Sequence, residues 1–338
     1  MSRIILTMIC KNEAPTIERA LRSLVPHIAG WVINDTGSTD GTQKIIARVM
    51  RESGLPGRLI DSGVFGNFAD ARNVALDAAK RGFDKSDYAL WLDADDALET
   101  EDGFSFQDAI KATPAEAYFL RVRTAGGTTF IRGHLSRLGS GYRWKWPVHE
   151  ALSCPVHNAR HIINGVTVRD FHEGARSRDN ETYLRDTQAL AEFLIDNQDD
   201  PRARYYHAQS MWSDAIHTNR LERGSHEWRQ LLLDCREAHN TRAMMTNGWE
   251  SERWYAALRF EMCTEWLGLY EPEQMADRYL ALAVTKPLRA EAYREAERLY
   301  ATAQNAAMAK HCRDRRMALK VSDVGGEIFV DPSAYGSE

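Results

Sequence analysis

Tyr88-Ala-Leu-Trp-Leu-Asp-Ala-Asp-Asp96 is a short apolar run that ends abruptly in three carboxylates, Asp93, Asp95 and Asp96. The run from Tyr88 to Leu92 has the length of a strand, and its lack of alternation fits a parallel sheet covered on both faces. Ligands of open α/β sheets collect outside the carboxyl ends of such strands. An Asp-x-Asp at that tip offers hard oxygen donors for Mg2+ or Mn2+, and such an ion can bridge diphosphate oxygens. The stretch therefore predicts a metal-diphosphate site at the end of a buried strand.

Upstream, strand-like and helix-like segments alternate. Residues 4–9 read as a first buried strand, and Pro15 then stands where the first turn of a helix tolerates it. Ile17, Ala20, Leu21 and Leu24 recur at helical spacing. Residues 31–35 form a second strand, followed by a Gly-, Ser- and Thr-rich loop whose Asp40 is suited to cap a helix. Ile45, Ile46, Val49 and Met50 supply the apolar face of that helix. A third strand at 58–61 and a helix entered through 67–76 lead to the Tyr88 strand. This alternation predicts a parallel, doubly wound sheet. After Asp96 the pattern shifts to short strand-like runs at 117–123, 128–131 and 134–138, a mixed extension of the sheet.

From about residue 180 the windows turn helical: 183–195, 203–215, 227–239, 252–267, 272–285 and 289–311. Asp200-Pro201, Glu271-Pro272 and Lys286-Pro287 punctuate them. Residues 200–209 and 288–300 each place small and aromatic residues as helix-pair repeats do. The reading divides the chain into a catalytic domain at 1–178, a helical domain at 179–322 and a tail at 323–338, where Gly325-Gly326 and Pro332 break any periodicity.

Composition narrows the class. The 338 residues are 43% apolar, with Lys+Arg 43 against Asp+Glu 48, the profile of a soluble protein of about two domains. A net charge of −5 gives no global electrostatic reason to bind nucleic acid, although a local basic groove is compatible with it. Cys10, Cys154, Cys235, Cys263 and Cys312 are scattered without a C-x-x-C pair, so neither a zinc site nor a disulfide framework is indicated, and a reducing cytoplasm is expected. No apolar segment approaches the ~18 residues that span a bilayer, so neither a signal peptide nor a membrane anchor is expected.

Taken together, Lys11-Asn-Glu13, Asp35-Thr-Gly-Ser-Thr-Asp-Gly-Thr42, Ala71-Arg-Asn73 and Asp93-Ala-Asp-Asp96 resemble, in order and spacing, the family 2 glycosyltransferases of the GT-A fold. The resemblance covers roughly the first half of the chain. The helical half is similar to the tetratricopeptide-type extension of a subgroup that includes peptide S-glycosyltransferases. The fold class this implies is α/β, a GT-A domain with a Rossmann-like mixed sheet, followed by an all-α, repeat-like domain. It further implies that Asn12, Glu13 and Asp35 lie around the base and ribose, Asp61 near the base, Arg72 and Asn73 near the diphosphate, Asp93 at the ribose and Asp95 on the metal. In Phe171-His-Glu-Gly174, it implies that His172 completes the metal shell. Arg176 and Arg178 beside it are candidates to close over the diphosphate.

An inverting transfer also needs a base that reaches the acceptor proton. Trp144-Lys-Trp-Pro-Val-His-Glu150 is the best source, with Glu150 as the base and His149 as its competitor, and Trp144 and Trp146 as stacking platforms. Plainer readings stand beside these: a capping loop at 36–42, structural roles for His149 and His172, and core packing for the tryptophans.

The expected activity is a metal-dependent, inverting transfer of a sugar from a nucleotide-sugar, with UDP as the default nucleotide. Helical repeats favour a protein or peptide acceptor, whereas a hydroxymethylated base in DNA or a glycan stays open. DNA would require Arg202, Arg204 and Arg223 to line a groove. An Asp-nucleophile phosphatase fits less well, because Ala97 stands where that motif wants Thr or Val. An inactive helical-repeat scaffold is opposed by the intact carboxylates. Oligomeric state is not legible.

Overall fold

The computed structural model describes residues 2–63, 65–153, 161–174, 179–320 and 334. Arg176, Arg178, Cys154 and all of the tail 323–338 except Ala334 lie outside the described residues. The chain forms two compact units, Met1–Asp179 and Asn180–Glu338.

In the first unit, β1 (Ile4–Cys10), β2 (Gly30–Asp35), β3 (Gly57–Asp61) and β4 (Tyr88–Trp91) run parallel in the order β3-β2-β1-β4. Residues of one parity, Ile4, Leu6, Met8, Ile33, Tyr88 and Leu90, pack against α1 (Ile17–Leu24) and α2 (Thr42–Ser53). Those of the other, Ile5, Val32, Ala89 and Trp91, pack against α3 (Phe68–Gly82). Two covered faces explain why β1, β2 and β4 are buried and mostly apolar along their length, since each buried aliphatic side chain contributes about 1.5–3 kcal/mol. β3, at the edge of the sheet, stays largely exposed.

The sheet then becomes mixed. β5 (Ala97–Thr100), β6 (Ala117–Thr124), β7 (Thr129–Arg137) and β10 (His161–Asp170) extend it to eight strands in the order β3-β2-β1-β4-β7-β6-β10-β5. β7 is antiparallel to both β4 and β6, and β6 is parallel to β10. The carboxyl end of β10 therefore opens on the same edge as those of β1 to β4. A separate hairpin, β8 (Arg143–Lys145) and β9 (Ala151–Ser153), pairs antiparallel. The two strand-like runs at 128–131 and 134–138 are one strand, because Gly133 does not break the β6–β7 ladder. β5, β10 and the short helix α4 (Phe106–Ala112) have no counterpart in the sequence reading.

The second unit is helical: α5 (Thr182–Asp196), α6 (Pro201–His217), α7 (His226–Met244), α8 (Glu250–Trp266), α9 (Pro272–Thr285), α10 (Ala290–Thr302) and α11 (Ala306–Met317). Each packs on the next, and α6 also reaches α8. Asp200 caps α6 by accepting the Ala203 N–H at 2.8 Å, with Pro201 in the first turn. The expected single helix over 289–311 is two. Gln304 adopts φ 62° and the Asn305 side chain accepts the Met308 N–H at 3.2 Å, so an αL stop and a new cap fall side by side without glycine or proline to announce them.

Candidate active site

The first strand-loop-helix passage builds a polar rim at the carboxyl ends of β1 and β2. Asp35 is fully buried, and its Oδ1 accepts the backbone N–H groups of Gly37 at 2.9 Å and Ser38 at 2.7 Å. Burial pushes this carboxyl up, but the donors of Ser38, Gln43 and Gly37 outweigh it and hold Asp35 below the usual carboxylate range. Asn12, at φ 57°, locks the two loops together: its N–H donates to Ser38 Oγ at 2.8 Å and its Oδ1 accepts the Thr39 N–H at 2.8 Å. Glu13 N–H donates to Thr42 Oγ1 at 2.9 Å. Asp40 accepts from the backbone of Ala14 and of Thr42, the first residue of α2, and so ties the loops at the helix start. The cap position itself falls to Gly41, at φ 97°, with no side-chain cap bond, so Asp40 stands one residue outside the cap expected of it. Asp61 is exposed at the end of β3, level with Asp35 in the ladder.

Arg72, on α3, is the hub of the next layer. Its Nη2 donates to Asp93 Oδ1 at 2.6 Å and its Nε to Glu150 Oε1 at 2.7 Å, while its Nη1 is buried without a partner among the described residues. The guanidinium lies 4.8 Å from the ring centroids of both Trp91 and Trp144. Burial opposes its charge, but Asp93 and Glu150 more than offset that and hold the guanidinium above its usual range. Burial likewise opposes the charge on Asp93, and Arg72 and Arg132 overcome it.

Glu150 reaches this point because the β8–β9 hairpin is fastened along α3. The Asn73 amide pairs with both backbone groups of Trp144 at 3.0 Å, Arg143 pairs with Asp77 at 2.7 Å, and Phe68 N–H donates to the Pro147 carbonyl at 3.0 Å. Asn73 is thus engaged through both its amide oxygen and its amide nitrogen in holding the hairpin. The connecting turn is strained, with Trp146 at φ 69° and His149 at φ 50°. Among the described residues, five non-glycine positions have positive φ; four of them, Asn12, Trp146, His149 and His172, stand in the segments singled out above, and the fifth, Gln304, ends a helix. Strain of this kind gathers at functional sites.

The carboxylates beyond β4 part company. Asp96 pairs with Arg132 at 3.2 Å; burial first, and then Asp93, push it up to about 8. Asp95 accepts the Gly174 N–H at 2.8 Å and is raised by burial and by Asp93. Gly174 is held tightly there, since a Cβ would stand 2.9 Å from Asp95 Oδ2 and 3.4 Å from Glu13 Oε1. Arg19 clamps the same region, donating to the Asp95 carbonyl at 2.8 Å, pairing with Glu173 at 2.8 Å and stacking 3.8 Å from the Phe171 ring. His172 is exposed and bonded through Nδ1 to Asp170 at 2.6 Å.

Among the described residues no three His, Cys, Asp or Glu side chains converge as a ready-made metal cage. The donor chemistry nevertheless fits Mg2+ or Mn2+, which take one or two carboxylates and complete their shell with phosphate oxygens and water. Asp95 is the member of the cluster whose carboxylate is not committed to an arginine in the contacts above.

Arg19, Arg132 and His134 escape the sequence reading. β4–β7 register brings Arg132 beside Asp96 and over the Trp91 ring at 4.6 Å, and it places His134 Nδ1 on the Trp91 carbonyl at 2.9 Å. Burial, then Arg132, push His134 down to about 3, so it is neutral. No local motif marks these residues.

A four-stranded parallel core extended by mixed strands, with an acidic cluster at its carboxyl edge, defines a GT-A-type domain. Residues 6–169 match the Glycosyl transferase family 2 model, and the N-terminal unit is a glycosyltransferase domain of that family. A TPR repeat-containing protein of Synechococcus elongatus is 31% identical over 155 residues, 45% of this chain and 36% of its own length, so the chain matches about a third of that relative. Staphylococcus aureus TarS 1–349 in complex with UDP-GlcNAc superposes over 85% of this chain and 92% of its own, at 14% identity and TM-score 0.45. Glucosyl-3-phosphoglycerate synthase from Mycobacterium tuberculosis, with Mg2+ and UDP, covers 37% of this chain and 45% of its own, at 17% identity and TM-score 0.26.

Proposed function

We propose that the protein transfers a sugar, with inversion, from a UDP-sugar to a protein or peptide acceptor, with Glu150 as the base. The observation that carries this reading is the Arg72 bridge, which brings Glu150 within one guanidinium of Asp93 at the strand tip. Asn12, Glu13, Asp35 and Asp61 form the nucleoside end of the site, and Asp93 takes the ribose. Arg72 fixes the base and Asp93 relative to each other, and its unpartnered Nη1 is a donor available to the donor's phosphates or sugar. Asp95, with His172 as a further candidate, would hold Mn2+ or Mg2+, which supplies charge neutralisation of the departing nucleoside diphosphate. The carboxylate of Glu150 accepts the acceptor's proton as its nucleophilic atom attacks the anomeric carbon opposite the leaving group. His149 is the alternative base.

Helix-on-helix stacking in the second unit supports a peptide-sized acceptor surface. The basic residues proposed for DNA have other engagements: Arg202 pairs with Glu252 at 2.9 Å, Arg204 donates to the Gln198 carbonyl at 2.9 Å, and Arg223 donates to the Ile216 carbonyl at 2.9 Å. Among the described residues no helix is long and apolar enough to cross a membrane, and Cys10, Cys235, Cys263 and Cys312 are buried free thiols, which supports a reducing, cytoplasmic setting.

The test is a comparison of Glu150→Gln with His149→Ala. With a UDP-sugar, Mn2+ and a peptide library, Glu150→Gln should lose about 10²–10⁴-fold in turnover while binding UDP as the parent does. Full activity in Glu150→Gln with loss in His149→Ala would transfer the role to the histidine.

A further inference from the structure

His134 is the residue at which β7 departs from a regular ladder. Tyr118 of β6 pairs with Leu135, but the next residue, Phe119, pairs with Gly133, so His134 is the extra residue of a β-bulge. A bulge gives up ladder pairing and re-aims a side chain. Here it accompanies a fully buried imidazole stacked on the Trp91 indole, the ring centroids 4.4 Å apart and the planes inclined by 19°. The indole is fastened to the same stretch of β7, its Nε1 donating to the Gly133 carbonyl at 2.8 Å.

The two partners of His134 fix its state. A carbonyl only accepts and a guanidinium only donates. Nδ1, 2.9 Å from the Trp91 carbonyl, therefore carries the proton, and Nε2 presents its lone pair to Arg132 Nε at 3.1 Å. The same guanidinium donates from Nη2 to Asp96 Oδ2 at 3.2 Å and lies over the Trp91 ring at 4.6 Å. Because the group is planar and rigid, these three contacts set its orientation, and they leave Nη1 facing Asp93 Oδ2 at 3.8 Å. A partly exposed arginine is thereby kept from swinging into solvent.

Asp93 thus stands between two arginines that share one floor. Its Oδ1 takes Arg72, reaching from α3, and its Oδ2 faces Arg132, reaching from β7; the two guanidinium groups lie 4.8 and 4.6 Å from the Trp91 ring. Arg72 also holds Glu150 and is not free to follow a rotation of Asp93. Arg132 is the contact that resists that rotation from the other side, and it occupies Asp96 as well.

We propose that Arg132 and His134 are positioning residues of the sugar-transfer site: His134 aims Arg132, and Arg132 fixes the orientation in which Asp93 meets the nucleotide-sugar. Both act through Asp93. The role rests on Asp93 taking the donor's ribose, as proposed above.

The test is calorimetric titration of the full chain with UDP in the presence of Mn2+, for the parent, Arg132→Lys, His134→Asn, His134→Gln and the exposed control Arg315→Gln. Asparagine keeps a donor for the Trp91 carbonyl and offers Arg132 nothing at the ε position. Glutamine gives up the δ contact and places an acceptor oxygen near the ε position. UDP binding should weaken roughly tenfold in Arg132→Lys and roughly threefold or more in His134→Asn, the range of one charge-assisted hydrogen bond. It should stay within about twofold of the parent in His134→Gln and Arg315→Gln. A purely structural role would instead make the loss of UDP binding follow the loss of melting temperature, whichever acceptor remains. That pattern, or parental binding in Arg132→Lys, would overturn the proposal; should the His134 variants not fold, Arg132→Lys decides alone. A parent that binds no UDP would remove the donor reading together with this one, whereas a parent that binds it and an Arg132→Lys that binds equally well remove this one only.

Discussion

Arg72 Nε donates to Glu150 Oε1 at 2.7 Å across 78 residues of sequence, while the same guanidinium holds Asp93. One planar fork thereby sets the separation between the proposed base and the strand tip. A lysine carries the charge but not the fork. Arg72→Lys should keep UDP binding within a few fold yet lower turnover by about 10²-fold, the cost of a misplaced reacting group. Arg72→Met removes the pairing of both carboxylates and should destabilise the first unit by about 3 kcal/mol, read from its denaturant midpoint. Unchanged turnover in Arg72→Lys would mean that the fork does not position the base.

Gly174 is a test of the carboxylate cluster that leaves every charge intact. An added methyl would stand 2.9 Å from Asp95 Oδ2, so Gly174→Ala must displace Asp95, the 171–174 segment or both. Turnover should fall by up to about a hundredfold, with thermal stability near that of the parent. Steady-state kinetics with donor varied distinguish this from a loss of folded protein.

Asp95→Asn preserves shape and the acceptor for the Gly174 N–H but removes the charge. With Mn2+, UDP at ~100 times its dissociation constant should stabilise the parent against heat by roughly 2.7 kcal/mol, more than the same UDP without the ion, and this metal-dependent increment should vanish in Asp95→Asn and with excess chelator. An increment that survives in Asp95→Asn places the ion elsewhere.

His239 makes the helical unit sensitive to acid. Burial, with Arg259 and His207 beside it, lowers its folded value from 6.5 to about 3. Between those limits the unfolded chain takes up a proton that the folded chain refuses, so the contribution is most favourable above about pH 6.5 and worsens as pH falls toward 3. The slope is about 1.4 kcal/mol per pH unit for this one group. In buffer without added phosphate or carboxylate, the parent should lose denaturant stability in that window more steeply than His239→Leu. Parallel curves would contradict a buried neutral imidazole.

The order of elements in the first unit is legible because each decision there is local. The strand at Tyr88 is apolar over its whole length because both faces are covered, and the abrupt change at Asp93 marks where the sheet ends. Asp40 and Asp200 announce helix starts through bonds that span two or three residues. The same logic fails at Gln304 and Asn305, where a helix stop is made by residues that are ordinary within helices. It fails again at β10, whose pairing partners are distant strands rather than a neighbouring turn.

The candidate site divides along the same line. The sequence by itself determined which residues carry acid at the strand tip, that the first unit alternates strand and helix into a parallel sheet with a mixed extension and that the second is helical, since apolar period and capping chemistry act over a few residues. The GT-A reading of that sheet came from the resemblance of its motifs to a family. Only tertiary structure decided that Arg72 joins Glu150 to Asp93, that Asn73 holds a hairpin, and that Arg132 and Arg19 stand among the carboxylates. Those pairings depend on strand register and on one element packing along another, and a charged side chain carries no local mark of the partner that folding will bring to it.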